Sequence, residues 1–490
     1  MDDLLPFITS MCNKSLLKGQ LPLSQRHALV TPILKKDGLD ATNVQNYRPI
    51  SNLTYISKLV ERMVSQQLTG FLDESGLLPK LQSGFRARHS TETATLRVLS
   101  DVLAAADRRG VTLLGLLDMS AAFDTVDHSI LLQRAEVSFG LSGTVLSWLT
   151  SFLDGRTQQV VLNGAASSVE KITSGVPQGS VLGPLLFLLY TADIPLIAQA
   201  FGLGVHCYAD DGQLYLSGSA ESSGASISVV VDCISEMDRW MASNRLKLNA
   251  DKTQFIWLGS RQQLLKVEID SIQLGSGSVS LKSSVNNLGV IFDSQLSMRD
   301  HVRHVCRSCF YQLRQLRVVR RSLTFEASAQ LVHAFINSRL DYCNSLLAGV
   351  GDQLIGQLQS VLRAAARLVL QKKKFDRISD DIRNKLHWLP IRQRISFKLC
   401  LLVFRCLRGE APPYLSEMLS LVSDSSALQS HRSAARGDLI IPRTFTKTFG
   451  PRGFAVSGPT AWNALPPSLK NKDLSPTVFR SKLKTHLFNS

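Results

Sequence analysis

At 490 residues the chain is long enough for two or three domains around a substantial core. Its 55 Lys and Arg against 39 Asp and Glu leave a formal charge of +16, which favours a polyanionic partner, most simply nucleic acid. The eight scattered cysteines form no dense disulfide framework, no basic run follows the first methionine, and apolar runs such as 181–190 fall short of the ~20 residues of a membrane span, so neither secretion nor membrane insertion is expected and a nuclear or cytoplasmic setting is.

In chain order, a strand is predicted at 28–34, ending in Lys35-Lys36, and a loop leads on to Tyr47-Arg48-Pro49-Ile50. Leu59, Val60, Met63, Val64, Leu68 and Phe71 recur at helical spacing over 57–72. Residues 113–117 read as a continuous apolar strand ending at Asp118. Residues 130–153 read as helical with a break near Gly140, 158–163 as a short strand, and 181–190 as a buried helix behind a Gly/Pro-rich entry. Two short apolar runs, 205–207 and 214–216, flank Tyr208-Ala209-Asp210-Asp211, which predicts a hairpin with two carboxylates at its tip. The Ser/Gly/Ala-rich stretch 217–226 reads as a loop. An amphipathic helix is predicted over 227–241, short strands and turns over 255–292, and mainly helix from Asp300 to about Leu421. A Ser-rich linker, 422–437, precedes a last segment with many Pro and Gly. No repeat of fixed period is visible.

The chemistry centres on the hairpin. Adjacent aspartates repel each other and need cations to offset the charge, and hard oxygen donors of this kind suit Mg²⁺, with Mn²⁺ as a substitute. Asp118, leaving a buried strand, is the candidate third carboxylate, although an acid there would also serve as a plain helix cap. Three convergent carboxylates suit two-metal phosphoryl transfer, in which a 3′-hydroxyl is activated and a triphosphate held. Phe123 would exclude a 2′-hydroxyl beneath an incoming sugar, or else be one more core ring. Ser174-Gly175-Val176-Pro177-Gln178-Gly179-Ser180 leads into a helix N-terminus, which favours an anion, and Gln178 would hydrogen-bond a sugar or base edge. Lys252 would donate a proton to departing pyrophosphate, or remain a solvated charge.

In the C-terminal third, Val302, Val305, Cys309, Leu313 and Leu316 share one helical face. Arg303, Arg307, Arg314, Arg317 and Arg321 share roughly the opposite one, with Arg320 outside the stripe. Gln371-Lys372-Lys373-Lys374 adds positive charge on a loop, and arginines between Arg432 and Arg452 extend a template path. The cysteines and histidines of 301–309 do not read as a zinc site, because Cys309 lies on the apolar stripe and no second pair stands at finger spacing.

Seven motifs in order carry a resemblance. They are Asn46-Tyr47-Arg48-Pro49-Ile50-Ser51; Gln82-Ser83-Gly84-Phe85-Arg86 with His89-Ser90-Thr91-Glu92; residues 118–128; residues 174–184; Tyr208-Ala209-Asp210-Asp211; Leu248-Asn249-Ala250-Asp251-Lys252-Thr253; and Asn287-Leu288-Gly289-Val290. On these the chain resembles the reverse transcriptases of non-LTR, LINE-type retrotransposons, most of all the CR1/L2/jockey-like group. The likeness continues through Leu386-His387-Trp388-Leu389-Pro390 and Ala461-Trp462-Asn463-Ala464-Leu465-Pro466.

The resemblance implies an α+β right-hand polymerase: a partial fingers extension at 1–19, fingers and palm over 20–292, a helical thumb and extension over 293–421, then the linker and a segment at 438–490. It implies Asp118, Asp210 and Asp211 as catalytic metal ligands, Lys252 beside them, and Phe123 as sugar gate. Gln178 and Gly179 would border the nucleotide, Arg48, with Lys35 or Lys36, would meet the triphosphate, and Asn287 to Val290 would lie in a primer-gripping hairpin. The partners implied are an RNA template, a DNA primer or target, and deoxynucleoside triphosphates, with no membrane. Relatives usually carry an upstream endonuclease domain, expected to be absent here, and no RNase H constellation is seen. Two other readings stand beside it: a non-catalytic nucleic-acid-binding remnant, and a metal-dependent nuclease, which would need neither the Pro-Gln-Gly segment nor a sugar gate.

Overall fold

The computed structural model describes residues 3–120, 122–274, 277–424, 436–471 and 473–489. Helix α1 (Leu5–Lys18) ends where Gly19 takes a left-handed conformation. Strand β1 (His27–Leu34) pairs antiparallel with β2 (Tyr47–Asn52), placing Ile33 opposite Arg48. Thr54 caps α2 (Tyr55–Glu74), accepting from the Ser57 amide, and a reciprocal capping box of Ser90 and Thr93 starts α3 (Thr91–Asp107). Strand β3 (Val111–Leu117) delivers Asp118 at its end. Asp127 caps α4 (His128–Val137), and α5 (Gly143–Leu153) follows after the break around Gly140. Strand β4 (Thr157–Leu162) runs parallel to β1, with His27 opposite Thr157. Two-residue strands β5 (Ala165–Ala166) and β6 (Glu170–Lys171) pair with it.

Helix α6 (Gly183–Tyr190) starts two residues later than predicted, with Pro184 in its first turn, and α7 (Ile194–Ala200) follows. Together they extend the apolar stretch to 183–200, long enough by composition to cross a bilayer, but it is broken into two helices and mostly buried. A core helix pair accounts for its apolarity. Strands β7 (Gly204–Tyr208) and β8 (Asp211–Gly218) form the hairpin around the paired aspartates. The predicted loop at 217–226 is corrected: β8 runs to Gly218, Ser219 caps a short turn, and α8 (Ser223–Ser243) begins well before Ile227. Its first turn is built from small residues that carry no apolar period, so the helix start was hidden.

Strand β9 (Gln254–Gly259) pairs antiparallel with β3, Leu113 facing Trp257; the strands β7, β8, β3 and β9 lie in one sheet in that order. Then come α9 (Arg261–Leu264), the hairpin β10 (Ser271–Leu274) and β11 (Gly277–Ser280), and the hairpin β12 (Ser284–Asn287) and β13 (Val290–Asp293). In the latter, Leu288 and Gly289 both have positive φ and form a two-residue turn closed by the pair Asn287 and Val290. The helices that follow are α10 (Arg299–Val319), α11 (Phe325–Val332), α12 (Ser338–Asp341), α13 (Asp352–Val369), α14 (Ser379–Asn384), α15 (Ile391–Leu407), α16 (Pro413–Ser416), α17 (Phe454–Asn463) and α18 (Pro476–Asn489). The α+β class is borne out.

The chain divides into two compact units: Met1–Phe85 with Leu117–Gly212 and Asp232–Thr253, and Arg86–Leu116 with Gln213–Val231 and Gln254–Ser490. In the first, Val60, Val64, Leu68 and Leu72 of α2, Trp148 and Phe152 of α5 and nearly all of α6 are buried. The second is mainly helical. The predicted apolar stripe of α10 is buried, its five-arginine stripe is exposed, and the rings of Phe404 and Phe479 stack at 4.0 Å. Arg320, outside the stripe, is buried. Its guanidinium donates to the carbonyls of Leu368 (2.8 Å) and Val369 (2.7 Å), satisfying the end of α13. Most of the expected linker, 425–435, and Arg432 with it, lie outside the described residues.

His301 opens the buried face of α10 and accepts from the Ile291 amide at Nδ1 (3.4 Å). Burial, helped by His304, lowers its imidazole from 6.5 to about 4. Between those two values the unfolded chain binds a proton that the folded protein refuses, so stability falls as the pH drops through this window. His301→Gln is expected to remove this component. From pH 7 to pH 4 the wild type should lose about 3 kcal/mol more than the variant, read as urea midpoints at each pH.

Candidate active site

The residues predicted to hold metal and nucleotide lie in the first unit, and Asn287 to Val290 lie in the second. Between β7 and β8 only Ala209 and Asp210 make the turn, and Ala209 is left-handed at φ 57°, a conformation that alanine adopts only when neighbours impose it. The neighbour is the segment 81–84. The Cys207 amide donates to the Leu81 carbonyl, and the Ser83 amide donates to the Cys207 carbonyl, each at 2.8 Å. The Gln82 carboxamide accepts from the Ala209 amide (2.9 Å) and donates to the Ala209 carbonyl (3.3 Å). It also accepts from the Gly84 amide at 2.8 Å, and the Ser83 hydroxyl meets His206 Nε2 at 2.9 Å. Gly84 has to be glycine: a Cβ there would lie 2.2 Å from the Ala209 nitrogen.

Asp118 is held from the other side. Its carbonyl accepts from the Asn249 amide (2.8 Å), the Ser120 amide donates to Lys247 (2.9 Å), and Met119 bridges Leu248 antiparallel. The turn at 249–253 then presents Lys252, whose Nζ meets Asp118 Oδ2 at 2.9 Å. The charges of this group are coupled. Loss of solvation raises Asp210 above the ordinary carboxylate range and the Asp118 charge adds to it, while Lys252 and Arg48 oppose. Loss of solvation, then the charges of Asp210 and Asp118, push Asp211 up to about 6. Just before them, burial pushes the Cys207 thiol up to about 12.

Asp118, Asp210 and Asp211 are therefore a hard-oxygen donor set under mutual repulsion, which is chemistry that suits a divalent cation. Among the described residues, however, no three His, Cys, Asp or Glu side chains converge closely enough to hold one ion; the Asp118 carboxylate faces Lys252 instead.

A second group of residues is assembled around Phe123. The Phe123 carbonyl accepts from the Val176 amide (2.8 Å) and that of Val126 from the Gly175 amide (2.7 Å), binding the Pro-Gln-Gly segment to the stretch after Asp118. Phe123 stacks on Phe187 (4.6 Å) and meets the edge of Phe85, which follows Gly84, at 6.3 Å. The half-exposed ring is thus fixed on two sides. Gln178 donates from Nε2 to both Asp124 carboxylate oxygens (3.1 and 3.3 Å), and its carbonyl accepts from the Ser51 amide of β2 at 2.7 Å. This tie sets the strand that carries exposed Arg48 beside the segment. Gly179, at φ 120°, is required by the same approach, since a Cβ would lie 2.6 Å from the Ser51 carbonyl oxygen. Lys35 donates from Nζ to the Gln45 carbonyl (2.7 Å), and its charge acts on Asp124.

Sequence reasoning missed two supports. One is the role of Gln82. The other is Glu61, fully buried, which accepts from the amides of Val181 (2.7 Å) and Leu182 (3.2 Å) at the entry to α6 and from the Ser57 hydroxyl (3.0 Å). Its available signal was an acid on the helical face of Val60, Val64 and Leu68, one turn after Ser57.

The family described as reverse transcriptase (RNA-dependent DNA polymerase) matches residues 33–292, over half of the chain, and the chain belongs to that family. The RNA-directed DNA polymerase from mobile element jockey of Drosophila melanogaster is 28% identical over 309 residues, covering 62% of this chain and 33% of the relative. The probable RNA-directed DNA polymerase from transposon BS of the same species is 30% identical over 291 residues, covering 58% and 31%. The chain thus spans about a third of the length of these relatives. The jockey-like resemblance is borne out. Among solved structures, telomerase from Candida tropicalis is similar with a TM-score of 0.38 at 13% identity, covering 75% of this chain and 68% of that one.

The contact of Gly84 with Ala209 makes a direct prediction. Gly84→Ala is expected to destabilise the protein by about 2 kcal/mol or more, because backbone, not a flexible side-chain end, is in the way. Gly70→Ala, inside α2 with open space around it, should be neutral or slightly stabilising. Urea denaturation of the two variants checks the contrast.

Proposed function

We propose that this chain is the polymerase portion of a jockey-like non-LTR retrotransposon protein. It extends the 3′-hydroxyl of a DNA primer along an RNA template, using deoxynucleoside triphosphates. The observation that carries the reading is the Asp210-Asp211 pair, held on a clamped turn and electrostatically coupled to Asp118. These three carboxylates would hold the divalent cations, Mg²⁺ by preference, which supply Lewis acidity toward the attacking hydroxyl and the triphosphate when bound. The remaining roles fall to the chain's own groups. Arg48 binds the triphosphate. Gln178, braced by Asp124 and by β2, orients the nucleotide. The Phe123 ring, wedged by Phe187 and Phe85, blocks a 2′-hydroxyl. Lys252 holds a proton at Nζ for the leaving pyrophosphate. The β12–β13 turn at Asn287 to Val290 grips the primer end. Residues 20–292 serve as fingers and palm and 293–421 as thumb, where the arginine stripe of α10 tracks a phosphate backbone. Eight free thiols suit a reducing nuclear or cytoplasmic setting.

Primer extension on poly(rA)/oligo(dT) tests the reading. Asp210→Asn and Asp211→Asn are each expected to lower the rate at least about 100-fold, and chelation to abolish it until Mg²⁺ is restored. Equal extension by all three proteins would sink the proposal. Salt-dependent RNA binding without extension by the wild type would select the non-catalytic reading.

Phe123→Ala carries a separate expectation. Preference for deoxynucleotides over ribonucleotides should fall by roughly 10–100-fold, measured as the ratio of kcat/KM for the two substrates, with primer binding unchanged.

A further inference from the structure

Between α13 and α14, in the second unit, the sequence Gln371-Lys372-Lys373-Lys374-Phe375-Asp376-Arg377 places one aromatic ring among cations. Phe375 is 89% exposed, more than any other large apolar side chain among the described residues. A phenyl ring standing in water forgoes the burial that favours most of its kind, so its placement asks for a reason.

The loop is built, not slack. The Lys372 amide donates to the Arg367 carbonyl (2.9 Å), and the Asp376 amide to the Lys373 carbonyl (3.3 Å). The Lys373 amide donates back to Asp376 Oδ2 (2.8 Å), and Arg367 Nη2 to the Asp376 carbonyl (3.2 Å). These bonds close a turn over 373–376 with Phe375 on its outer side. Lys374 Nζ sits 5.4 Å from the Phe375 ring centroid, a cation set over the ring face.

The charge around the ring is largely unneutralised. Lys372 pairs with Asp381 at 3.3 Å, but Lys373, Lys374 and Arg377 pair with no acid among the described residues. Arg320, bonded to the Leu368 and Val369 carbonyls, ties the end of α10 to the start of this loop.

We infer that the 371–377 loop is a docking patch for single-stranded polynucleotide, in which an unpaired base stacks on Phe375 while Lys373, Lys374 and Arg377 hold the flanking phosphates. Stacking on an exposed ring tolerates any base and contributes about 1–3 kcal/mol, and clustered cations track the backbone. Duplex bases are already stacked and cannot use the ring, so the patch selects single strands. An anionic bilayer would meet the same cations, but one ring buries little apolar area there. The patch uses none of the residues assigned to polymerisation, and it stands or falls separately from them.

Fluorescence anisotropy of the full chain with labelled oligo(rU), oligo(dT) and a DNA duplex, across a salt series, tests the inference. Phe375→Ala is expected to weaken single-strand binding roughly 5–50-fold and to leave duplex binding and extension of a pre-annealed short primer-template unchanged. Phe375→Trp should keep wild-type affinity, and its added fluorescence should be quenched by either oligonucleotide; a response to one alone identifies the strand. Lys373→Gln with Lys374→Gln should reduce the salt slope by about 1.4. Wild-type single-strand affinity in Phe375→Ala overturns the inference. So does a Phe375→Trp signal that answers to phosphatidylserine vesicles and not to oligonucleotides.

Discussion

Three carboxylates brought near one another, in a place partly shielded from water, are the constraint from which the rest of the first unit follows. Like charges do not collect unless the chain forces them to. The force comes from covalent and hydrogen-bonded geometry: a strand end for Asp118 and a two-residue turn for Asp210 and Asp211. It also comes from a backbone ladder at Cys207, the Gln82 carboxamide on Ala209, and the strand-like bridge from Met119 to Leu248. Lys252 and Arg48 supply positive charge that eases the repulsion without removing it. The site is thus held under electrostatic tension by a scaffold whose own hydrogen bonds are well satisfied.

The second group follows a related logic with different materials. Here the need is not to oppose repulsion but to fix an aromatic ring and a carboxamide. Phe123 is caught between Phe187 and Phe85, and Gln178 is tied at both ends, by its side chain to Asp124 and by its carbonyl to Ser51. Gly175 and Gly179 are glycines because backbone passes close by, at Asp124 and at Ser51. Flexibility is not their contribution. They permit a rigid crossing that any side chain would obstruct.

What could be read in the sequence, and what could not, divides along the range of the interactions. The hairpin of 204–218, the strand ending at Asp118 and the two faces of α10 are written in local periodicity, so they were legible. The Arg320 anchor, the Gln82 clamp and the Glu61 seat for α6 join residues far apart in the chain, and no pattern within a window records them. The start of α8 was missed for a third reason: serine, glycine and alanine carry too little apolar contrast to show a helical period. The site residues themselves were recognisable because their motifs keep a fixed order, but why Ala209 can be left-handed, or why position 84 has no side chain, is answered only by the contact between them.

That contact also bears on how the protein acquires its site. Gln82 and Ala209 are 127 residues apart, and the turn is unfavourable for Ala209 until the distant segment docks. Closing so large a loop is entropically costly and slow compared with forming the neighbouring helices. The aspartate turn therefore belongs to the late, cooperative part of folding. A chain emerging from synthesis forms α2 and α3 long before Asp210 and Asp211 exist to be placed. The repulsive cluster is assembled only as the segments that restrain it dock, and partly folded forms are spared its cost.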